Sequence, residues 1–129
     1  MGVGEAQKAL EITIANVKQR QAFGAPLFNK DVVRDKLARM QTKISIAQNY
    51  LYYVAWLDAQ GVDCIKEVSM LKANACEIAN EVMYDCVQLH GGMGFMTESV
   101  IERMSRDARV LTIGGGTTEV MYGEVAKRL

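Results

Sequence analysis

Apolar residues recur at intervals of three and four along most of this chain, which is the period of amphipathic helices. Val3, Ala6, Leu10, Ile14 and Val17 are spaced in this way and predict a first helix from about Val3 to Gln19. It must end before Ala22-Phe23-Gly24-Ala25-Pro26, because the only proline of the chain forbids a further turn. Val33, Leu37, Met40, Ile44, Ala47, Leu51 and Val54 then alternate by four and three, the seam of a bundle helix over about Asp31 to Ala59. Gly61 is the stop signal and Asp63 a candidate cap for a third helix reaching about His90. Its stripe is Val68, Leu71, Ala75, Ile78, Val82 and Cys86. The short connection makes helices two and three antiparallel neighbours. Ser99-Val100-Ile101-Glu102 spells a capping box for a fourth helix ending near Val110, and a last helix runs from about Thr117 to Leu129. No stretch alternates for long and no Asn-Gly or Asp-Gly turn occurs, so no strands are expected. The expected fold is all-α: one domain over residues 1–129, an up-down four-helix bundle with a short additional helix.

Composition narrows the field of functions. Half the residues are apolar and 23% are charged, as in an ordinary globular domain. Fifteen basic residues balance fifteen acidic ones, so nothing in the charge favours nucleic acid or an anionic membrane. No apolar run approaches the roughly 18 residues that a membrane span needs. Cys64, Cys76 and Cys86 are odd in number and fall on apolar helical faces. They read as reduced core residues of a cytoplasmic or comparably reducing compartment, such as the mitochondrial matrix. His90 is the only histidine, and with no second ligand at metal spacing it anchors no metal site. It reads as a loop residue.

The glycines break the helical pattern. Seven of the eleven lie between Gly91 and Gly123, mostly in two clusters. Glycine costs a helix roughly 1 kcal/mol against alanine, so such density marks backbone that turns tightly or approaches a ligand. The second cluster opens onto a helix, whose free amides suit an anionic group. Two plain inter-helix loops would also account for the glycine count alone.

Three motifs occur in order: Lys18-Gln19-Arg20-Gln21-Ala22-Phe23-Gly24, then Gln88-Leu89-His90-Gly91-Gly92-Met93-Gly94-Phe95, then Arg106-Asp107-Ala108-Arg109 followed by Ile113-Gly114-Gly115-Gly116-Thr117-Thr118-Glu119-Val120. Together they resemble the C-terminal helical domain of the acyl-CoA dehydrogenases, over essentially the whole chain. The resemblance implies FAD as cofactor, an acyl-CoA thioester as substrate, oxidation to the trans-2-enoyl form, and an electron-transferring flavoprotein as acceptor. It implies a homo-oligomer, dimer or tetramer, and a place in fatty acid or branched-chain amino acid catabolism. Arg20 falls where the family sets an arginine on the FAD phosphates of a neighbouring subunit, and a guanidinium fork suits phosphate. Phe23 would pack near that cofactor, although a lone aromatic before a Gly-Ala-Pro turn could equally be a core plug. Gln88, Gly91 and Gly92 match the turn that touches the adjacent subunit's FAD. Thr117, Thr118 and Glu119 match the segment that opens the last helix against FAD, although a threonine cap with an acidic first turn is ordinary helix chemistry as well.

The departures are as informative. Most of the family carries its catalytic glutamate immediately before the Gly-Thr pair; Gly115 stands there, and glycine takes no proton. This resembles the isovaleryl- and long-chain-type branches, whose base lies on an earlier helix, upstream of Met1. No catalytic residue is therefore expected in this chain, and Gly115 and Gly116 are expected beside the substrate. Asp31 stands where relatives such as the isovaleryl type place a glutamine on FAD; a carboxylate suits a phosphate poorly, so Asp31 is left out of the cofactor set. The N-terminal helical and middle β domains of the family are not spelled within these 129 residues, and the chain is expected to be a C-terminal fragment. A non-catalytic assembly module, or a sister flavoenzyme such as an acyl-CoA oxidase or nitroalkane oxidase, is the alternative.

Overall fold

The computed structural model describes all 129 residues. Helix α1 (Gly2–Gln19) turns Ala6, Ala9, Leu10, Thr13 and Val17 inward, and the buried Thr13 hydroxyl donates to the Ala9 carbonyl at 2.8 Å. Two short strands follow, β1 (Gln21–Ala22) and β2 (Ala25–Pro26), where no strand was expected. The hairpin has a physical cause the dipeptide rule misses. Phe23 (φ 55°) and Gly24 (φ 80°) are both left-handed, the backbone a two-residue turn needs whichever residues supply it.

Helix α2 (Asp31–Ala59) buries its seam at Val33, Leu37, Met40, Ile44, Ala47 and Val54, with Leu51 only partly covered. Helix α3 (Ile65–His90) is the hub, packing against α1, α2, α4 and α5. Asp63 accepts from the Ile65 amide at 3.2 Å, one position short of a true cap, which falls to Cys64. Gly2 sits level with Ala75: a Cβ there would stand 3.1 Å from the Ala75 carbonyl. The part of α3 preceding that level has no α1 opposite it, so Val68 of the expected stripe is exposed. Helix α1, with 18 residues, reaches only about 27 Å, against about 44 Å for the 29 residues of α2.

Helix α4 (Val100–Arg109) starts at Ser99, but the expected capping box does not form. The Ser99 side chain makes no cap bond, and Glu102 accepts instead from Arg106 Nε at 2.6 Å. Helix α5 (Thr118–Ala126) stops short of the expected Leu129; its Thr117 cap is present, the hydroxyl accepting from the Val120 amide at 3.3 Å. The result is the all-α bundle with a short extra helix. Its centre is Leu10, Val17, Ile44, Val82, Met83, Cys86 and Ile101. All three cysteines are free and buried, and burial pushes the Cys86 thiol up to about 11. No helix is long and apolar enough to cross a membrane, and no group of three or more His, Cys, Asp or Glu side chains could hold a metal ion.

Candidate functional site

The first glycine cluster ends α3. His90 is the last helical residue and is buried, with ring Nδ1 2.9 Å from the Cys86 carbonyl; it is not the loop residue its neighbours suggested. Gly91 leaves the helix with φ 62°, left-handed backbone that favours glycine. Arg20, just past the end of α1, donates through Nη1 to the His90 carbonyl at 2.8 Å, covering one of the carbonyls a helix end leaves unpaired. A Cβ on Gly91 would lie 2.9 Å from the same Nη1. The bare Gly91 backbone therefore lets the guanidinium seat. Two motifs 70 residues apart in sequence meet at this contact. Arg20 and Gln88 are exposed, and nothing lies within 4 Å of a Cβ built on Gly92. Phe23 is 93% exposed, with the Lys30 ammonium 5.6 Å from its ring centroid. Asp31 is engaged by Arg34.

Gly94, which sequence reasoning passed over, is the tightest glycine in the cluster. A Cβ there would stand 2.6 Å from the Val87 carbonyl oxygen and 3.1 Å from the Val87 Cα. It lets the turn fold back on α3. Its only signal in the sequence is membership of the cluster.

The second cluster lies elsewhere. After Arg109 a short turn (Val110–Thr112) leads to Gly114, whose amide donates to the Val110 carbonyl at 2.7 Å, then to Gly115 (φ 68°) and Gly116 (φ 100°). A Cβ on Gly116 would meet Met121 Cε at 2.6 Å, whereas at Gly115 it would meet nothing within 4 Å. Lys72, half-buried on α3, donates through Nζ to the Leu111 carbonyl at 3.0 Å and also to the Gly116 carbonyl. In the sequence Lys72 is one helical lysine among several, and no signal marks it.

Between this loop and α3 is a cleft of about 280 Å³ lined by Glu77, Arg109, Thr112, Thr117, Thr118 and Glu119 among others. The Thr118 hydroxyl is buried with no partner. The Glu119 carboxyl is held below the usual range, first by its own backbone amide, then by the Thr117 hydroxyl, with the Arg109 charge adding to it. It is an ionised carboxylate at neutral pH, not a proton donor.

The two ends differ in what they can hold. At the Arg20 end an exposed guanidinium and bare glycine backbone suit phosphate oxygens. At the Thr118 end two carboxylates, one arginine and an unpaired hydroxyl line one cleft, which suits a hydroxylated or ring portion of a ligand better than its phosphates. Glu77, which lines the Thr118 cleft, and His90 stand 13 residues apart on one helix, so the ends lie roughly 20 Å apart. One copy of this chain does not bring them onto a single phosphate group.

A family model described as acyl-CoA dehydrogenase, C-terminal domain, matches residues 1–129. The chain is 36% identical to a probable acyl-CoA dehydrogenase of Bacillus subtilis, over all of this chain and 34% of the relative. It is 40% identical to a caffeyl-CoA reductase–Etf complex subunit of Acetobacterium woodii, over 92% of this chain and 31% of the relative. The crystal structure of a probable acyl-CoA dehydrogenase from Mycobacterium abscessus superimposes with a TM-score of 0.97 at 40% identity, covering 98% of this chain and 34% of that one. The chain thus spans about a third of the length of these relatives. On its motifs, its fold and these similarities, the chain belongs to the acyl-CoA dehydrogenase family and represents its C-terminal domain.

Proposed function

We propose that this domain is part of a longer flavoprotein subunit that removes hydrogen from the α and β carbons of an acyl-CoA thioester, giving the trans-2-enoyl product. The observation that carries the reading is the Arg20 guanidinium seated on the bare Gly91 turn, because it joins two of the three motifs into one phosphate-suited surface. Arg20, Phe23, Gln88, Gly91 and Gly92 form one FAD-holding set, and Thr117, Thr118 and Glu119 the other. When bound, FAD supplies the hydride acceptor. The separation of the sets along α3 favours a homo-oligomer in which Arg20 and its turn serve a neighbour's cofactor. Gly115 and Gly116 form the wall beside the thioester and leave proton removal to a carboxylate elsewhere in the subunit. The similarity to a reductase–Etf complex subunit supports an electron-transferring flavoprotein as redox partner. Three free, buried thiols fit a reducing compartment, bacterial cytoplasm or mitochondrial matrix.

The test is flavin content and acyl-CoA-dependent dye reduction in the complete subunit, wild type against Arg20→Gln. Wild type is expected to hold close to one FAD per subunit. Loss of a charge-assisted phosphate contact should weaken FAD binding by about 10- to 100-fold. A colourless wild-type subunit, or an Arg20→Gln variant that retains flavin equally well, overturns the assignment. Full flavin without dye reduction by any acyl-CoA would instead favour a non-catalytic assembly module.

A further inference from the structure

Helix α3 carries a row of polar side chains one and two turns apart that all reach the segment between α4 and α5. Asn80 Nδ2 donates to the Ala108 carbonyl at 2.9 Å, at the end of α4. Glu77 accepts from the Tyr122 hydroxyl on α5 at 3.3 Å. Lys72 donates to the carbonyls of Leu111 and Gly116, which bracket the second glycine cluster. Lys72 forms no ion pair with any carboxylate, although nine ion pairs occur in the molecule. An ammonium half-withdrawn from water without a counter-ion is costly unless dipoles solvate it, and here the two carbonyls do so. No backbone amide reaches the Gly116 carbonyl. Gly114, Gly115 and Gly116 carry no side chain, and Gly115 and Gly116 are left-handed, so this run has more backbone freedom to lose than the rest of the loop. Across the Leu111–Gly116 mouth, the Lys72 ammonium is the side chain that ties one end of the loop to the other.

We propose that Lys72 is a positioning residue: by bridging the Leu111 and Gly116 carbonyls it closes the glycine loop and sets where the Gly115 backbone lies against the acyl thioester. The second half of this statement rests on the function proposed above. Lys72 also lines a groove of about 600 Å³ that shares no lining residue with the Thr118 cleft. It touches neither reacting atom nor cofactor. Its effect passes through the loop.

The experiment is hydrogen–deuterium exchange by mass spectrometry on the complete subunit, with steady-state turnover of acyl-CoA on the same preparations, for wild type, Lys72→Met and Lys72→Arg. Methionine keeps the stem and removes the donor; arginine restores donors. In Lys72→Met, amides of the 111–117 segment should exchange about tenfold faster or more, the effect expected for losing hydrogen bonds from a charged group, while α1 and α2 keep their protection. The kcat should fall about tenfold with KM changed less than threefold, because the reacting geometry is lost and binding is not. Lys72→Arg should recover most of both. Unchanged exchange in the loop, or acceleration spread equally through α1 and α2, overturns the proposal. So does faster loop exchange with undiminished kcat. If the loop loosens as expected but wild type dehydrogenates no acyl-CoA, the loop-closing role stands and the functional reading falls.

Discussion

A methyl group at position 94 has nowhere to go, because the atoms it would strike, the Val87 backbone and the Cβ of His90, are fixed to α3 and cannot swing aside. Gly94→Ala should cost about 2–3 kcal/mol, the range for overpacking, whereas Gly92→Ala, with open space around it, should stay within about 0.5 kcal/mol. Denaturant unfolding of the two variants side by side decides this. Gly115 poses a different problem: it has room for a side chain but a left-handed backbone, so Gly115→Glu should cost about 1–2 kcal/mol and still fold. In a complete subunit whose own base has been removed, that glutamate should restore part of the lost rate. General bases supply on the order of 10²–10⁴-fold, so partial rescue is measurable by dye reduction. No rescue with normal FAD and acyl-CoA binding would mean that Gly115 is not at the reacting carbon. Cys86 gives a pH signature. Below about pH 9 its thiol is protonated folded or unfolded, and its contribution is whole. As the pH rises from 9 towards 11 the unfolded chain releases its proton first, so stability falls by up to about 3 kcal/mol through this group. Stability measured across that window should drop more steeply for wild type than for Cys86→Ala. None of these three distinctions can be read from residue type, since glycine and cysteine look alike in sequence whether packed or free.

At the level of elements the sequence was legible wherever one helix face decides. The α2 seam and the α3 stripe from Ala75 to Cys86 are buried as their spacing predicts, because a period of 3.6 leaves no other way to hide those side chains. It failed at Leu51 and Val68, where burial depends on how far a different helix reaches. It failed again at the Ser99 capping box, since Glu102 has a competing partner in Arg106 one turn on. The Phe23-Gly24 turn was hidden for a further reason: a phenylalanine rarely accepts positive φ, so nothing local announces it. The Thr117 cap was legible, and it carries a prediction for α5. A helix of 9 residues is marginal without tertiary help, so Thr117→Ala should lower stability by about 1 kcal/mol and speed exchange of the first α5 amides before those of α3. Equal loss of protection across α3 and α5 would show that the cap matters only to the whole.

For the molecule as a whole, unequal helix lengths leave apolar surface on the far parts of α2 and α3 and the connection between them, including Tyr52, Trp56, Val62, Ile65 and Val68. Surface of that kind is seldom left in water, so the isolated chain should self-associate, and sedimentation at tens of micromolar should show species larger than a monomer. The same preparation should be colourless. On the function proposed above it has only two partial surfaces for FAD, roughly 20 Å apart, and flavin absorbance near one per chain would refute that. The central position of α3 also bears on how the chain is born. Helix α1 leaves the ribosome before α2 and α3, but the surface it packs against is finished only when His90 emerges, 70 residues after Arg20. At about 5–20 residues per second that is roughly 4–14 s during which Leu10 and Val17 can find, within this domain, only α2 for shelter. Slowing synthesis across α2, with synonymous codons and no change in any residue, should therefore raise the fraction of nascent chains captured by chaperones.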